Sequence, residues 1–419
     1  MEIIKTFGNY VEKWCENTPD RARWLLTKGW EAQDLKFRLA PSKKINPSDQ
    51  YLARMMMNVM LQPLKHPDQS VLVSVFTPCE LMQEAGLYPY NVESFSCYLT
   101  ASSAERAFLQ SAEDSGLSET LCSYHKTFIG AAEKGLLPKP KCIVYTNLAC
   151  DANLLTFQRL AEFFHVPVFS IDVPSGQTSE NVAYVAAQLR ALRGFLEQTT
   201  GHQIDESRLV QRVKRGYKTL QQFDAFQSAR ADRFIPSDLV SPLYSGMTNN
   251  ILLGTEEEAL YTEKLLQDVK KAPPKKGKHI YWMHTLPFWS DAVKDALLLN
   301  DDAQIVGCEL SQATDISRYS EDPYEEMAMR LIYHALNGPI SRRINAGIRH
   351  AKQAGADGVV WFNHWGCKHT LGGSRIAKKC FEEAGLPTLI LDGDGCDRSH
   401  GGELSLIHIS EPTRRTPIS

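Results

Sequence analysis

Lys141–Asp151 reads KCIVYTNLACD, and Asp357–Lys368 reads DGVVWFNHWGCK. Each stretch opens with a short β-branched and aromatic run that predicts a buried strand, continues through a polar turn, and reaches a cysteine where a helix should begin. The residues that follow also match, because both copies continue as helix, proline, strand and aspartate. We therefore predict one βαβ unit that occurs twice, with Cys150 and Cys367 beyond the carboxyl ends of equivalent strands.

The rest of the chain fits around these two units. At 419 residues it is too long for a single core. Apolar spacing indicates α/β regions at 66–175 and 278–402, with a helical segment at 1–65 and another at 176–277. We predict an α/β protein with two doubly wound parallel-sheet domains, of the Rossmann or flavodoxin-like kind. Residues 403–419 have no clean period, and we predict that they are a non-native tail in place of the genuine C-terminus.

The composition is that of an ordinary globular protein, with 43% hydrophobic and 23% charged residues. A net charge of −3 gives no basic footprint for nucleic acid or for anionic lipid. No apolar run approaches the roughly 18 residues of a membrane span. The start, MEIIKTFGNYVEKW, also lacks the unbroken apolar core of a signal peptide. We expect a cytoplasmic protein without nucleic-acid or membrane partners.

The cysteines point to a metal centre without settling it. The chain has 10 cysteines and no C-x-x-C pair, which argues against disulfides and zinc ribbons in a reducing cytoplasm. Cys122, Cys150 and Cys367 each lie where a helix should begin, so backbone N–H groups should favour their thiolates. Three thiolates without a fourth suggest a metal centre with one open position, for which an iron–sulfur cluster is the natural group. Their distant positions match no local motif, so a core-packing role stays open.

A set of longer stretches carries a family resemblance. In order, the chain contains PCELMQEAGLYPY, CSYHKTFIG, TNLACDAN, LRALRGFLEQTTGHQID, WFNHWGCK and LDGDGCDR. This set resembles the 2-hydroxyacyl-CoA dehydratase D-component family, which also contains benzoyl-CoA reductase subunits. The resemblance implies that Cys122, Cys150 and Cys367 bind a [4Fe–4S] cluster whose fourth iron is free for water or substrate. Relatives with larger double-cubane clusters leave Cys79 and Cys396 open as extra ligands.

The same resemblance implies a reaction. A 2-hydroxyacyl-CoA would lose water after one low-potential electron converts its thioester carbonyl into a ketyl radical anion, and the electron would be recovered. The implied partners are the acyl-CoA substrate, a homologous subunit in a dimer and a separate ATP-hydrolysing iron–sulfur activator. This chain accordingly has no G-x-x-x-x-G-K-[ST] loop. An acyl- or benzoyl-CoA reductase, a non-catalytic iron–sulfur electron-transfer protein and a metal-free binding protein stay open as alternatives.

Several polar residues near the expected strand ends are weaker candidates. His364 and His369 flank the last of the three cysteines and could donate a hydrogen bond to the cluster sulfurs or to the substrate carbonyl. Asp397, past the last strand, is a candidate catalytic residue, although pairing with Arg398 to order the loop explains it as well. His125 and Lys126 are candidates for the CoA phosphates, unless they are simply exposed to solvent.

Overall fold

The chain begins with three helices, as the sequence predicts. The computed structural model describes residues 2–312 and 314–400, so the predicted tail at 403–419 lies outside the described residues. The N-terminal helices are α1 (Glu2–Asn17), α2 (Pro19–Leu39) and α3 (Pro47–Lys65). The last two begin with a proline, which a helix accepts at its first position because the missing N–H has no partner there.

A first parallel sheet follows. Its strands are β1 (Ser70–Val73), β2 (Tyr88–Asn91), β3 (Cys142–Thr146) and β4 (Val168–Ile171). The helices between them are α4 (Glu80–Glu84), α5 (Val92–Ala101), α6 (Arg106–Asp114), α7 (Ser123–Glu133) and α8 (Ala152–Phe164). The spatial order is β2-β1-β3-β4 and every pair is parallel, so the helices serve as the crossovers that parallel strands need.

The middle of the chain is helical, also as the sequence predicts. Its helices are α9 (Ser179–Thr200), α10 (Glu206–Arg230), α11 (Ser241–Ile251) and α12 (Glu256–Lys271). The first of these ends at Gly201, whose φ of 74° is the left-handed conformation that glycine adopts without strain. Asp205 begins the next by accepting hydrogen bonds from the backbone N–H groups of Ser207 and Arg208. Among the described residues, no helix is both long and apolar enough to cross a membrane.

A second parallel sheet completes the described chain. Its strands are β5 (Lys278–Met283), β6 (Ala303–Cys308), β7 (Gly358–His364) and β8 (Thr388–Gly393). Its helices are α13 (Asp291–Leu297), α14 (Pro323–Ile332), α15 (Ile340–Gln353), α16 (Lys368–Leu371) and α17 (Ser374–Glu383). The order β6-β5-β7-β8 repeats the order of the first sheet. The predicted fold class, with two doubly wound parallel sheets and helical N-terminal and middle segments, is confirmed; the exact domain boundaries stay a prediction.

Both faces of each sheet are covered, which explains why the strands read as continuous apolar runs. In the first sheet, Leu72 faces a core shared with the N-terminal helices, while its neighbour Val71 faces one shared with α9 and α14. In the second, Trp282 packs towards α13 and Trp361 packs towards α15 and α17. Each fully buried Leu, Val or Phe side chain contributes about 1.5–3 kcal/mol relative to an exposed one. These two-sided cores hold the carboxyl ends of the strands in fixed positions.

The structure differs from the predicted strands in three places. The apolar run Val71–Phe76 predicts a strand, but β1 ends at Val73 because the chain turns at Ser74, whose hydroxyl is hydrogen-bonded to that of Thr77 at 2.8 Å. The run Gly358–Phe362 predicts the later strand, and β7 continues two residues further, through His364. β2 was not predicted at all, since its four residues include Pro89, which a strand tolerates only at an edge such as this one.

Candidate functional site

The carboxyl ends of the two sheets lead into one cavity of about 420 Å³. Cys150 follows β3 and Cys367 follows β7, and these strands hold the same place in the two sheets. The thiols are therefore equivalent, as the repeated sequence pattern predicts. In the first sheet, β2 lies on one side of β1 and β3 lies on the other, and the second sheet repeats this arrangement around β5. The position where the strand order reverses in this way is a topological switch point, and open α/β sheets bind ligands there.

The third predicted thiol reaches the same cavity from a helix. Cys122 and Cys367 are the residues directly before α7 and α16, and Asp151 alone separates Cys150 from α8. Cys122 is buried, whereas the other two are partly exposed. All three line the cavity. The structure therefore brings the three cysteines together, although they are far apart in sequence.

A glycine makes this convergence possible. Gly366, in the loop after β7, has a φ of +81°, and a Cβ placed on it would lie 2.7 Å from the backbone N of Cys122. No side chain fits at that distance, and the left-handed backbone also favours glycine. The loop that carries Cys367 thus packs directly against the start of α7. Ser123 adds a hydrogen bond across the same contact, with its hydroxyl donating to Asp394 Oδ1 at 2.5 Å.

Each thiol lies beside one imidazole. Sγ of Cys122 is 3.1 Å from Nε2 of His364. Sγ of Cys150 is 3.5 Å from Nε2 of His125, and Sγ of Cys367 is 3.5 Å from Nε2 of His284. All three contacts fall within the range of hydrogen bonds that involve sulfur.

Burial opposes the expected thiolate form at Cys122 and Cys150. Burial raises the pKa of Cys150 to about 12, and the backbone N–H groups of Ala152 and Asn153 lower it by less. Burial also raises the pKa of Cys122 well above its usual value, and the other two thiols raise it further. The helix starts thus act in the expected direction, but desolvation is larger. A bound cation reverses this balance, because a coordinating thiol is deprotonated outright.

Sequence reasoning missed a carboxyl group in the cavity wall. Glu93 lies in the first turn of α5, and its Oε2 has no hydrogen-bond partner among the described residues. Its Oε1 is 4.0 Å from Nε2 of His125. Burial raises the pKa of Glu93 to about 7. The available signal was Asn91, which accepts a hydrogen bond from the N–H of Ser94 and marks a helix start after the short strand β2.

The other predicted site residues divide into two groups. His364 and His369 line the cavity, as predicted. Asp397 is not part of the lining: its Oδ1 accepts hydrogen bonds from the backbone N–H and the hydroxyl of Ser399 and so orders the loop after β8. Nε of Arg398 is 3.5 Å from Oε1 of Glu105, and the pairing of Arg398 with Asp397 stays a prediction.

Three further candidates lie away from the cavity lining. Cys79 and Cys396 are fully buried, and their thiols are hydrogen-bonded to the carbonyl of Thr77 and to the hydroxyl of Thr100. Lys126 is buried rather than exposed. Its ammonium group is 2.6 Å from Oε1 of Glu113, which leaves it poorly placed to meet phosphates.

The donors around the cavity suit an iron–sulfur cluster better than a single ion. Among residues 2–312 and 314–400, no three histidine, cysteine, aspartate or glutamate side chains are arranged to hold one metal ion. A single zinc ion draws its ligands to about 2.0–2.3 Å. A cluster binds each thiolate through a different iron, so its ligands stand further apart. The thiols of Cys122, Cys150 and Cys367, each at or just before the start of a helix, match that donor set, whereas the fourth cysteine of the described lining, Cys97, lies within α5.

The protein is an α/β protein whose two parallel sheets have the same strand order and share one cavity. Cys122, Cys150 and Cys367 line that cavity, which makes it a candidate ligand site between the sheets. Residues 74–405 match the family model described as 2-hydroxyglutaryl-CoA dehydratase, D-component, and the chain belongs to this family. It is also similar to the (R)-2-hydroxyisocaproyl-CoA dehydratase alpha subunit of Clostridioides difficile. The two are 22% identical over 344 residues, which cover 77% of this chain and 84% of that protein. The family predicted from the sequence is thereby confirmed.

Proposed function

We propose that this chain is the iron–sulfur subunit of a 2-hydroxyacyl-CoA dehydratase, a lyase that removes water from a 2-hydroxyacyl-CoA. One observation carries the proposal: the thiols of Cys122, Cys150 and Cys367, each at or just before the start of a helix, line a single cavity at the carboxyl ends of two parallel sheets. Family membership supports the same activity, as does the similarity to the dehydratase subunit of the clostridial relative.

The proposed cofactor is a [4Fe–4S] cluster held by Cys122, Cys150 and Cys367. When bound, such a cluster would supply one low-potential electron to the thioester carbonyl, which gives the substrate the ketyl character that weakens its bond to the neighbouring hydroxyl. The electron returns at the end of the reaction, so the overall elimination is redox-neutral. The chain's own contribution is to hold the cluster, the substrate and a proton acceptor in one place.

The cavity walls are largely apolar and would limit the access of water to a bound substrate. Apolar side chains from several parts of the chain line the cavity, among them Phe76, Leu121, Leu243, Met247 and Leu336. Its volume of about 420 Å³ lies within the range of ligand pockets, roughly 300–1,000 Å³. A low dielectric strengthens every interaction with charge that develops on the substrate.

Glu93 is the proposed proton acceptor and donor. Its unpartnered Oε2 lies in the cavity wall and is free to take the β-hydrogen of the substrate or to protonate the departing hydroxyl. Its pKa of about 7 suits it to both directions of proton transfer near neutral pH. Glu93→Gln keeps the shape but removes the proton acceptor, and we expect it to lower turnover by about 10²–10⁴-fold.

The proposed partners follow from the family. They are a homologous dehydratase subunit, which would complete a dimer, and a separate ATP-hydrolysing iron–sulfur activator that delivers the electron. A cytoplasmic location agrees with this proposal, because thiol ligands stay reduced there.

Turnover with electron accounting tests the proposal. The protein, purified without oxygen, is mixed with an activator, ATP, a limiting amount of reductant and a panel of 2-hydroxyacyl-CoAs. We expect many molecules of enoyl-CoA for each electron supplied. One product for every two electrons would instead indicate an acyl- or benzoyl-CoA reductase. Cluster reduction without binding of any acyl-CoA would indicate an electron-transfer protein.

A further inference from the structure

We propose that His125, His284 and His364 each donate a hydrogen bond from Nε2 to one cysteine sulfur and so stabilise the reduced form of the cluster. This inference rests on the proposed cluster and goes beyond it, since it assigns a role to three residues outside the ligand set. None of the three needs to touch the substrate. They are positioning residues that act through the sulfur ligands.

The pairing is one imidazole to one sulfur. His364 contacts Cys122 at 3.1 Å, and it does so across the two sheets, from the end of β7 to the start of α7. His125 contacts Cys150 and His284 contacts Cys367, both at 3.5 Å. In every pair the ring nitrogen that faces the sulfur is Nε2, which leaves Nδ1 facing into the protein.

The environment of Nδ1 fixes the proton of His364. The backbone N–H of Gly395 donates to its Nδ1 at 3.0 Å. A backbone N–H can only donate, so Nδ1 must carry a lone pair there. A neutral imidazole has one N–H, and here that N–H is on Nε2, pointing at Cys122.

The other two rings have a hydroxyl in the same place. Nδ1 of His125 is 2.8 Å from the hydroxyl of Thr156, and Nδ1 of His284 is 3.3 Å from that of Thr285. A hydroxyl can donate or accept. A sulfur that ligates iron has lost its proton and can only accept, so the favourable arrangement has the threonine donating to Nδ1 and the ring donating to sulfur.

His284 is held in this orientation by its backbone. Its φ of +79° is uncommon for any residue other than glycine. Such a conformation is maintained only where the surroundings impose it, and it often occurs at functional sites. Here it turns the ring back from the end of β5 towards Cys367.

Hydrogen bonds to sulfur change the reduction potential of a cluster. Reduction adds negative charge that spreads onto the ligand sulfurs, and an N–H donor interacts more favourably with that added charge. Removing a donor should therefore make the midpoint potential more negative. His364 should have the largest effect, because its contact is the shortest and its tautomer is fixed by a backbone group.

Single substitutions in the reconstituted full chain, followed by a redox titration monitored by electron paramagnetic resonance, test the inference. In His364→Asn the amide reaches only the position of Nδ1, so it can accept from Gly395 but cannot contact Cys122. In His364→Gln the amide N reaches the position of Nε2 and can donate again. We expect a more negative midpoint potential in the first variant and recovery towards the wild-type value in the second, with iron content retained in both.

The control is His279→Asn. His279 is buried on β5, the same strand that leads to His284, but at its amino end. Its substitution should leave the potential unchanged. A wild-type potential in His364→Asn, His125→Asn and His284→Asn overturns the inference while the cluster assignment stands, and so does an equal shift in the control. A wild-type chain that binds no iron after reconstitution overturns the proposed function and this inference with it.

Discussion

The two halves of the molecule share one plan but contribute to the cavity in different ways. We call the first sheet and α4–α8 the first half, and the second sheet and α13–α17 the second half. Both place a cysteine after the third strand, Cys150 in one and Cys367 in the other. The helix before that strand differs: α7 is preceded by Cys122, whereas α15 is preceded by Pro339. The repeat therefore provides two thiols, and the third belongs to the first half alone.

The histidines beside the thiols are divided between the halves in the opposite proportion to the thiols. The first half provides one histidine beside a thiol and the second half provides two. The only one of these three contacts that crosses between halves is that of His364 with Cys122. A fold with two similar units thus builds a site that neither unit has alone. Its integrity depends on how closely the halves approach, and the following predictions test that approach.

Gly366→Ala should have the largest effect on the contact between halves. Its Cβ would meet the backbone of Cys122 at 2.7 Å, and its φ is unfavourable for alanine. We expect a loss of about 2–4 kcal/mol in the free energy of unfolding, from conformational strain and overpacking together. Urea denaturation measures it, and anaerobic iron analysis should show a parallel loss of cluster.

Gly385→Ala is the matched control. Gly385 has a similar φ of +84°, but a Cβ there would meet no described atom within 4 Å. It should lose only about 1 kcal/mol and keep its iron. Equal losses in the two variants would mean that the close approach of the halves at Gly366 does not matter.

Glu105→Gln tests a buried carboxyl group that faces Arg398 between the halves. Burial raises the pKa of Glu105 from 4.5 to about 7, against the opposing effect of Arg398 in the second half. Between pH 4.5 and 7 the folded protein therefore keeps a proton that the unfolded chain has lost, and the free energy of unfolding falls as the pH rises. The variant should lack this contribution, which is at most about 3 kcal/mol. Parallel stability curves for the two proteins between pH 4.5 and 8 would contradict the assignment.

Ser123→Ala removes a single hydrogen bond between the halves. Asp394 loses the hydroxyl of Ser123 but keeps the backbone N–H groups of Cys396 and Asp397, both at 2.7 Å. We expect a loss of about 1–2 kcal/mol, since the acceptor is a carboxylate. Ser118→Ala, which removes an exposed hydroxyl from the same cavity rim, should change stability by less than about 0.5 kcal/mol. A Ser123 variant as stable as this control would show that the bond contributes nothing.

The sequence contains the repeat but not the contacts between its copies. A strand, a polar turn and a cysteine are local features, so Cys150 and Cys367 could be found from periodicity alone. The helix start at Cys122 could be found in the same way. Proximity of the three could be expected only from parallel-sheet topology, in which strand ends share one edge.

Other features depend on partners that are distant in sequence. Glu93 follows an edge strand too short and too rich in proline to predict. The pairing of His364 with Cys122 joins residues 242 positions apart, which no spacing rule captures. The effect of burial on the cysteine pKa values is also not visible in the sequence. The backbone N–H groups at the start of α8 lower the pKa of Cys150, but desolvation raises it by more. Such balances depend on the packed structure and not on local pattern.

Iron and sulfide content after anaerobic reconstitution tests the central claim most directly. The wild-type chain should bind close to four irons and four sulfides. Cys122→Ser, Cys150→Ser and Cys367→Ser should each lose most of them, whereas Cys97→Ala, at a thiol in the same cavity wall, should keep them. Full iron in any of the three serine variants, or loss of iron in the Cys97 variant, would contradict a cluster held by those three thiols.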